Sequence, residues 1–175
     1  MNPVANSTID AFDLARARAH LEGEIPLSQL PRLAESLVTA SGCVRYRIDG
    51  LIDDDGHPGA RMQLQAQLPL TCQRCNAPLL FDLNRTTHFR FVRSEEELNA
   101  LPIEDDDADA IVGSHALNLA SWIEDEAILS LPLVPRHEVC SLPLQRDADT
   151  ESSPPPNPFA ELAAALKGGG SSEIH

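Results

Sequence analysis

The sequence predicts an α+β domain, an antiparallel sheet flanked by helices, followed by a proline-rich linker and a short C-terminal helix. Three observations carry this expectation. Apolar and polar residues alternate through CVRYRID and ARMQLQAQLPL, the two-residue period of a half-buried strand. Segments on either side carry apolar residues at helical spacing instead. DADTESSPPPNP then breaks all periodicity. With 175 residues and 42% hydrophobic content, the chain has material for one core plus tails. The expected bounds are a single domain over 1–142, a flexible linker over 143–157, a short helix over 158–167 and a disordered tail over 168–175.

In chain order, FDLARARAHLEG predicts a helix with Leu14, Ala17 and Leu21 on one face and Gly23 as its stop. LSQLPRLAESLV predicts a second, with Ser28 as N-cap, Pro31 in the first turn, and Leu30, Leu33 and Leu37 at helical spacing. Three antiparallel strands follow. In the first, Val44, Tyr46 and Ile48 face inward and Arg45 and Arg47 outward; DDDGHPG is turn chemistry. In the second, Met62, Leu64, Ala66 and Leu68 face inward. In the third, Leu79, Phe81 and Leu83 begin the inward set and Phe89 and Phe91 resume it. Arg85 falls in the inward phase, which predicts a bulge.

Residues 94–110 read as an acidic loop with one helical turn at SEEELNA, and DADAIVGSH as a short edge strand. NLASWIEDEAILSL predicts a helix capped by Asn118, burying Leu119, Trp122, Ile123 and Leu129, and ended by Pro132 and Pro135. In NPFAELAAALK, Asn157 caps, Pro158 takes the first helical position and Gly168 follows the end. Its stripe of Phe159, Leu162 and Leu166 either docks on the domain or serves as a helix-in-groove ligand for a partner.

The formal net charge of −14 is unevenly spread: residues 1–92 carry 10 acidic and 9 basic side chains, residues 93–175 carry 17 and 4. Such a chain has no global attraction for DNA or RNA. Its acidic half provides solubility or engages a basic protein. No apolar run reaches bilayer length, and the first 20 residues lack a basic start followed by an apolar block. The expectation is a cytoplasmic protein without membrane contact, whose cysteines stay reduced.

LTCQRCNAP places Cys72 and Cys75 two residues apart in a turn, a spacing that serves metal binding, redox chemistry or neither. Two thiolates make half of a tetrahedral site, and His137 and Cys140 in PRHEVC offer the other half of a Cys3His zinc centre. The competing reading is four reduced cysteines without metal. Redox activation needs a helix N-terminus after a strand, whereas this pair lies between two strands. Cys43 reads as an ordinary strand residue.

No catalytic constellation emerges, so the sequence predicts no enzyme. His88 lies in an outward phase, and Ser114 and His115 lack a third orienting group. Glu124, Asp125 and Glu126 splay around a helix axis and read as a solvated face. The outer sheet face gathers Arg45, Arg47, Arg61 and Arg90 beside Gln63, Gln65 and Gln67. It reads equally as a site for RNA phosphates or as a wet polar surface. Tyr46, Phe81, Phe89 and Phe91 point inward, which argues against base stacking there.

CQRCNAPL, FRFVRSEEELNALP, LNLASWIEDEAILSLPLVPRHEVC and PNPFAELAAALK, in that order, resemble the large ribosomal RNA subunit accumulation protein family, the YceD-like proteins. The resemblance runs from about Cys43 to Lys167. It implies a non-enzymatic role in 23S ribosomal RNA accumulation and large-subunit biogenesis. The implied partner is ribosomal RNA or a large-subunit precursor particle; the acidic half of the chain adds the expectation of a basic ribosomal or processing protein. The alternative is an acidic protein-only adaptor, or a zinc-binding interaction module, that never touches RNA. By resemblance, Cys72 and Cys75 match the family's Cys-x2-Cys. Many members have a further Cys-x2-Cys after the LVP segment, where this chain has His137 and Cys140. The resemblance therefore implies a site either rebuilt as Cys3His or lost.

Overall fold

A computed structural model describes residues 7–101 and 108–140. All of them belong to one unit, residues 1–141. The expected linker, the C-terminal helix with Phe159, Leu162 and Leu166, and the tail lie outside the described residues.

The chain opens with a two-residue strand, β1 (Thr8–Ile9), and a short helix, α1 (Ala11–Arg16). Asp10 caps α1 by accepting the Phe12 and Asp13 N–H groups. Arg18, at φ 48°, turns the chain out of the helix. Residues 20–26 are then not helix but a strand, β2 (His20–Pro26). This corrects the first helix expectation, and the cause is a period-2 pattern hidden under a helical one. Leu21 and Ile25 face the domain while His20, Glu22 and Glu24 face water. Gly23 is not a helix stop; a Cβ there would come within 2.7 Å of the Tyr46 hydroxyl on the neighbouring strand.

The second expected helix also shortens. Leu27–Gln29 form a single 3-10 turn, and α2 covers only Pro31–Glu35. Ser28 is not the cap: Leu30 holds that position and has no polar side-chain atom to offer α2. Glu124, from far along the chain, takes over. Its Oε1 accepts the N–H groups of Arg32 and Leu33 at 2.7 and 3.1 Å.

The three alternating stretches become β3 (Cys43–Ile52), β4 (Pro58–Thr71) and β5 (Pro78–Val92), antiparallel as expected. The β4–β5 register runs without a break from Gly59↔Arg90 to Thr71↔Pro78, so no bulge occurs at Arg85. The inward-phase arginine is accommodated electrostatically instead: its Nε lies 3.4 Å from Glu126 Oε1. After α3 (Glu95–Ala100), the predicted edge strand appears as β6 (Asp109–Val112), paired in parallel with β5. The five-stranded order is β2-β3-β4-β5-β6, and β7 (Leu117–Asn118) returns to pair with β1.

Asn118 caps α4 (Leu119–Leu129) through the Ser121 N–H. Inward side chains of the sheet, including Val44, Ile48, Met62, Leu64 and Phe91, meet Leu14, Leu33, Trp122 and Ile123 in one core. Two expectations about α4 are overturned. Leu129 is 80% exposed, not buried. Glu124 and Glu126 are buried rather than solvated, the first capping α2 and the second accepting from Thr87 Oγ1. Asp125 pairs with Arg32 at 2.6 Å. The acidic triplet thus joins three parts of the fold.

Candidate metal centre and the outer sheet face

The β4–β5 turn is built to hold sulfur. Cys72 N–H donates to Ala77 O, Asn76 N–H donates to Cys72 O, and Asn76 adopts φ 56° to close the loop. Asparagine tolerates this left-handed geometry better than most residues. Gln73 N–H then donates to Pro135 O at 2.8 Å, drawing the segment after α4 onto the turn.

This contact brings together all four residues that spacing had singled out. The ligand atoms of Cys72, Cys75, His137 and Cys140 lie within 4.8 Å of one another. Cys72 Sγ is 3.6 Å from Cys140 Sγ, and Cys75 Sγ is 3.4 Å from His137 Nδ1. The three cysteines are free, and the 3.6 Å between Cys72 and Cys140 is well beyond a disulfide bond. Around a tetrahedral zinc ion, bond lengths of about 2.3 Å to sulfur and 2.0–2.1 Å to nitrogen give ligand–ligand edges of about 3.8 and 3.6 Å. The observed separations sit close to those edges, so the cluster can hold a metal ion.

Two further features fit a metal. His137 Nε2 lies 3.1 Å from Pro78 O and donates to it, which leaves Nδ1 with its lone pair toward the sulfurs. Burial pushes the Cys72 thiol up, but the backbone N–H groups of Cys75, His137 and Arg74 outweigh it and bring the pKa down to about 5. These N–H groups favour the Cys72 thiolate, the form that ligates. Cys75 differs. The Ala77 N–H favours its thiolate, yet burial and the neighbouring Cys72 and Cys140 thiols push it up. Three sulfurs this close resist carrying full negative charge together without a cation. Arg74, which sequence reasoning passed over, supplies part of one. It hydrogen-bonds Cys140, which raises its own pKa, and its Nη2 reaches His137 O at 3.5 Å.

The segment over 131–140 has no buried residue, and Leu133, Val134 and Val139 are exposed. Leu131 packs against the core, and beyond it the attachment runs through the cluster and hydrogen bonds to the turn.

The outer sheet face matches the expected strand parity but not the expected charge. Arg45, Arg47, Arg61 and Arg90 share one face, and each reaches a carboxylate. Arg45 pairs with Glu24 at 3.1 Å, Arg47 and Arg61 share Asp49 at 3.2 and 3.3 Å, and Arg90 lies 3.5 Å from Asp53. Asp49 is the hub. Burial raises its pKa, but hydrogen bonds from His20, Arg47 and Arg61 prevail and hold it below the usual range. In return, the Asp49 hydrogen bond, helped by one from Glu22, raises the pKa of His20. The strand register also puts Glu22 opposite Arg47 on this face.

A mixed sheet whose trailing segment brings three thiols and an imidazole together defines a small α+β domain with a cluster that could hold a metal ion. The chain belongs to the family described as large ribosomal RNA subunit accumulation protein YceD, whose model matches residues 60–166. A curated relative of that name from Haemophilus influenzae (strain ATCC 51907 / DSM 11121 / KW20 / Rd) is 31% identical over 167 residues, covering 89% of this chain and 92% of its own. No solved structure matches the chain. Among the described residues, no helix is long and apolar enough to cross a membrane.

Proposed function

We propose that this chain is a non-enzymatic, zinc-clasped binding module that supports large-subunit ribosomal RNA accumulation by engaging a basic protein, without direct phosphate contact. The role in accumulation is supported by the family and by its relative's name. The choice of protein over RNA rests on one observation: every outer-face arginine expected to meet phosphate already reaches a carboxylate. Phosphate binding draws its affinity from uncompensated cations and counterion release. Four compensated guanidinium groups in a chain of net charge −14 offer little of either. Zinc is the ion of choice because soft thiolates with imidazole in tetrahedral array suit it. Its contribution is structural, joining the β4–β5 turn to the segment after α4.

The RNA reading retains one supporting fact, the gathering of Arg45, Arg47, Arg61 and Arg90 on a single face. Exposed ion pairs are worth only about 0–1 kcal/mol, so phosphates can compete for them. One experiment separates the readings. All four arginines are changed together to glutamine, retention of fold is checked by circular dichroism, and 23S ribosomal RNA levels and co-sedimentation with large-subunit particles are measured. The protein-contact reading expects both to persist. Loss of both would overturn it, particularly if the unaltered chain binds purified 23S ribosomal RNA with a log–log salt slope of about −3, the value for four phosphate contacts on a single strand.

A further inference from the structure

The cluster of Cys72, Cys75, His137 and Cys140 can do more than ligate. Thiols held this close become a disulfide once an oxidant removes two electrons. The three sulfurs are not equivalent. Cys72 is fully buried, while Cys75 and Cys140 are half-buried and within reach of a small solute. Cys140 Sγ lies 3.6 Å from Cys72 Sγ and hydrogen-bonds the Arg74 guanidinium, whereas Cys75 Sγ faces His137 Nδ1 at 3.4 Å.

A disulfide bond is about 2.05 Å long, so joining Cys72 to Cys140 takes a closure of about 1.5 Å. Cys72 is pinned by the turn, its N–H donating to Ala77 O and its carbonyl accepting from Asn76 N–H. Cys140 ends a segment without a buried residue, so the movement falls on its side. A Cys72–Cys75 bond would instead have to reshape the turn, which its hydrogen bonds and the left-handed Asn76 hold in place. Cys43, the remaining cysteine, contacts Glu24 and lies outside the cluster.

We propose that this clasp is redox-convertible: hydrogen peroxide joins Cys140 to Cys72, and the disulfide then holds the segment after α4 in place of the metal. In the first step the Cys140 thiolate attacks one peroxide oxygen. An S–O bond forms, the O–O bond breaks, and hydroxide leaves beside the Arg74 guanidinium and is protonated to water. In the second step the Cys72 thiolate attacks the Cys140 sulfenic acid. The S–S bond forms, the S–O bond breaks, and a second hydroxide leaves and takes up a proton. The two sulfurs give up two electrons in all, one peroxide becomes two waters, and two protons are consumed. Two of the four ligands are then lost to the metal, which is released. That release rests on the zinc-clasped reading above; the disulfide does not, because the same sulfurs meet in the metal-free chain.

The test uses the full chain carrying Cys43→Ser, so that every thiol counted belongs to the cluster. Dilute hydrogen peroxide should consume two of the three remaining thiols. Peptide mass mapping should then find one bond, Cys72 to Cys140, which dithiothreitol reverses. A chromogenic chelator should read zinc release at the same rate. Trypsin reports on the clasp through Arg136, the one trypsin site in residues 131–140. Cleavage there should be about tenfold slower in the oxidised, metal-free chain than in the reduced, metal-free chain. Cys75→Ser should still form the bond, and Cys140→Ser should lose the protection. The proposal is overturned if mapping places the bond at Cys72–Cys75 or Cys75–Cys140, or if peroxide yields only sulfinic or sulfonic acids. It is also overturned if Arg136 is cut equally fast in both metal-free forms. Protein found without zinc fails the zinc reading, while mapping and trypsin still decide this one. A zinc-loaded chain whose Cys72 and Cys140 never join fails this one alone.

Discussion

Replacing Glu124 with alanine isolates the longest-range link in the fold. Its carboxylate accepts two backbone N–H groups at the start of α2 and the Arg32 Nε–H at 3.0 Å, all from residues about 90 positions away. Leu33 is fully buried, so its N–H finds no water once the carboxylate is gone, whereas Arg32 is exposed and rehydrates. One orphaned buried donor costs about 1–3 kcal/mol, and lost hydrogen bonds to a charged acceptor about 1.5–3 kcal/mol each. Allowing for rehydration at Arg32, the expected loss is about 3–5 kcal/mol. Small domains are stable by about 5–15 kcal/mol, so the variant should be visibly weakened. The assay is urea unfolding followed by far-ultraviolet circular dichroism and by Trp122 emission, the reporter lying on the same helix as Glu124. Glu124→Gln is the control: it keeps an acceptor oxygen for both N–H groups and should lose about half as much. A loss below about 1 kcal/mol for alanine would refute the capping argument, as would a glutamine variant as weak as the alanine one.

Removing the metal should release the segment after α4 while the sheet survives. The Cys72–Cys140 link spans a sequence separation of 68 residues. The chain-entropy relation for a cross-link of that span gives about 4 kcal/mol, or a fall in Tm of about 10–15 °C. Differential scanning calorimetry with and without chelator checks the shift. Limited proteolysis should show new cleavage confined to residues 131–140. At the other end of the sheet, the Asp49 hydrogen bond raises the pKa of His20. Asp49→Asn should therefore lower the His20 midpoint in an NMR pH titration. The sign follows for stability: the His20 contribution is full below its unfolded pKa and disappears as pH rises through the higher folded value. The depressed Asp49 contributes above its unfolded pKa and loses that contribution as pH falls through its folded one.

The long strands were legible because one face of each is buried, and burial writes a period of two into CVRYRID and ARMQLQAQLPL. β2 was misread because HLEGEIP is short and follows a true helical turn, so Leu14, Ala17 and Leu21 align by accident of spacing. The event that separates them, a left-handed Arg18, leaves no sequence mark of the kind a glycine would. Arg85 shows the reverse case. Its inward phase was correctly seen, but the remedy was a distant carboxylate rather than a backbone irregularity. Local sequence cannot show that Glu124 and Glu126 are needed, since their partners are supplied by other segments. The metal cluster was half visible. Cys72 and Cys75 stand out by spacing, whereas nothing in the local sequence shows that Pro135 binds the turn and brings His137 and Cys140 beside them. The arginines' shared face was legible by parity and their partners were not, because Glu24, Asp49 and Asp53 reach them across strands and turns.

The most direct test of the zinc-clasped module is metal content. Protein purified without chelator, measured by inductively coupled plasma mass spectrometry, should carry about one zinc per chain, and the paired Cys72→Ser, Cys75→Ser variant should carry none. Unaltered protein free of zinc, or a double variant that keeps it, would contradict the account.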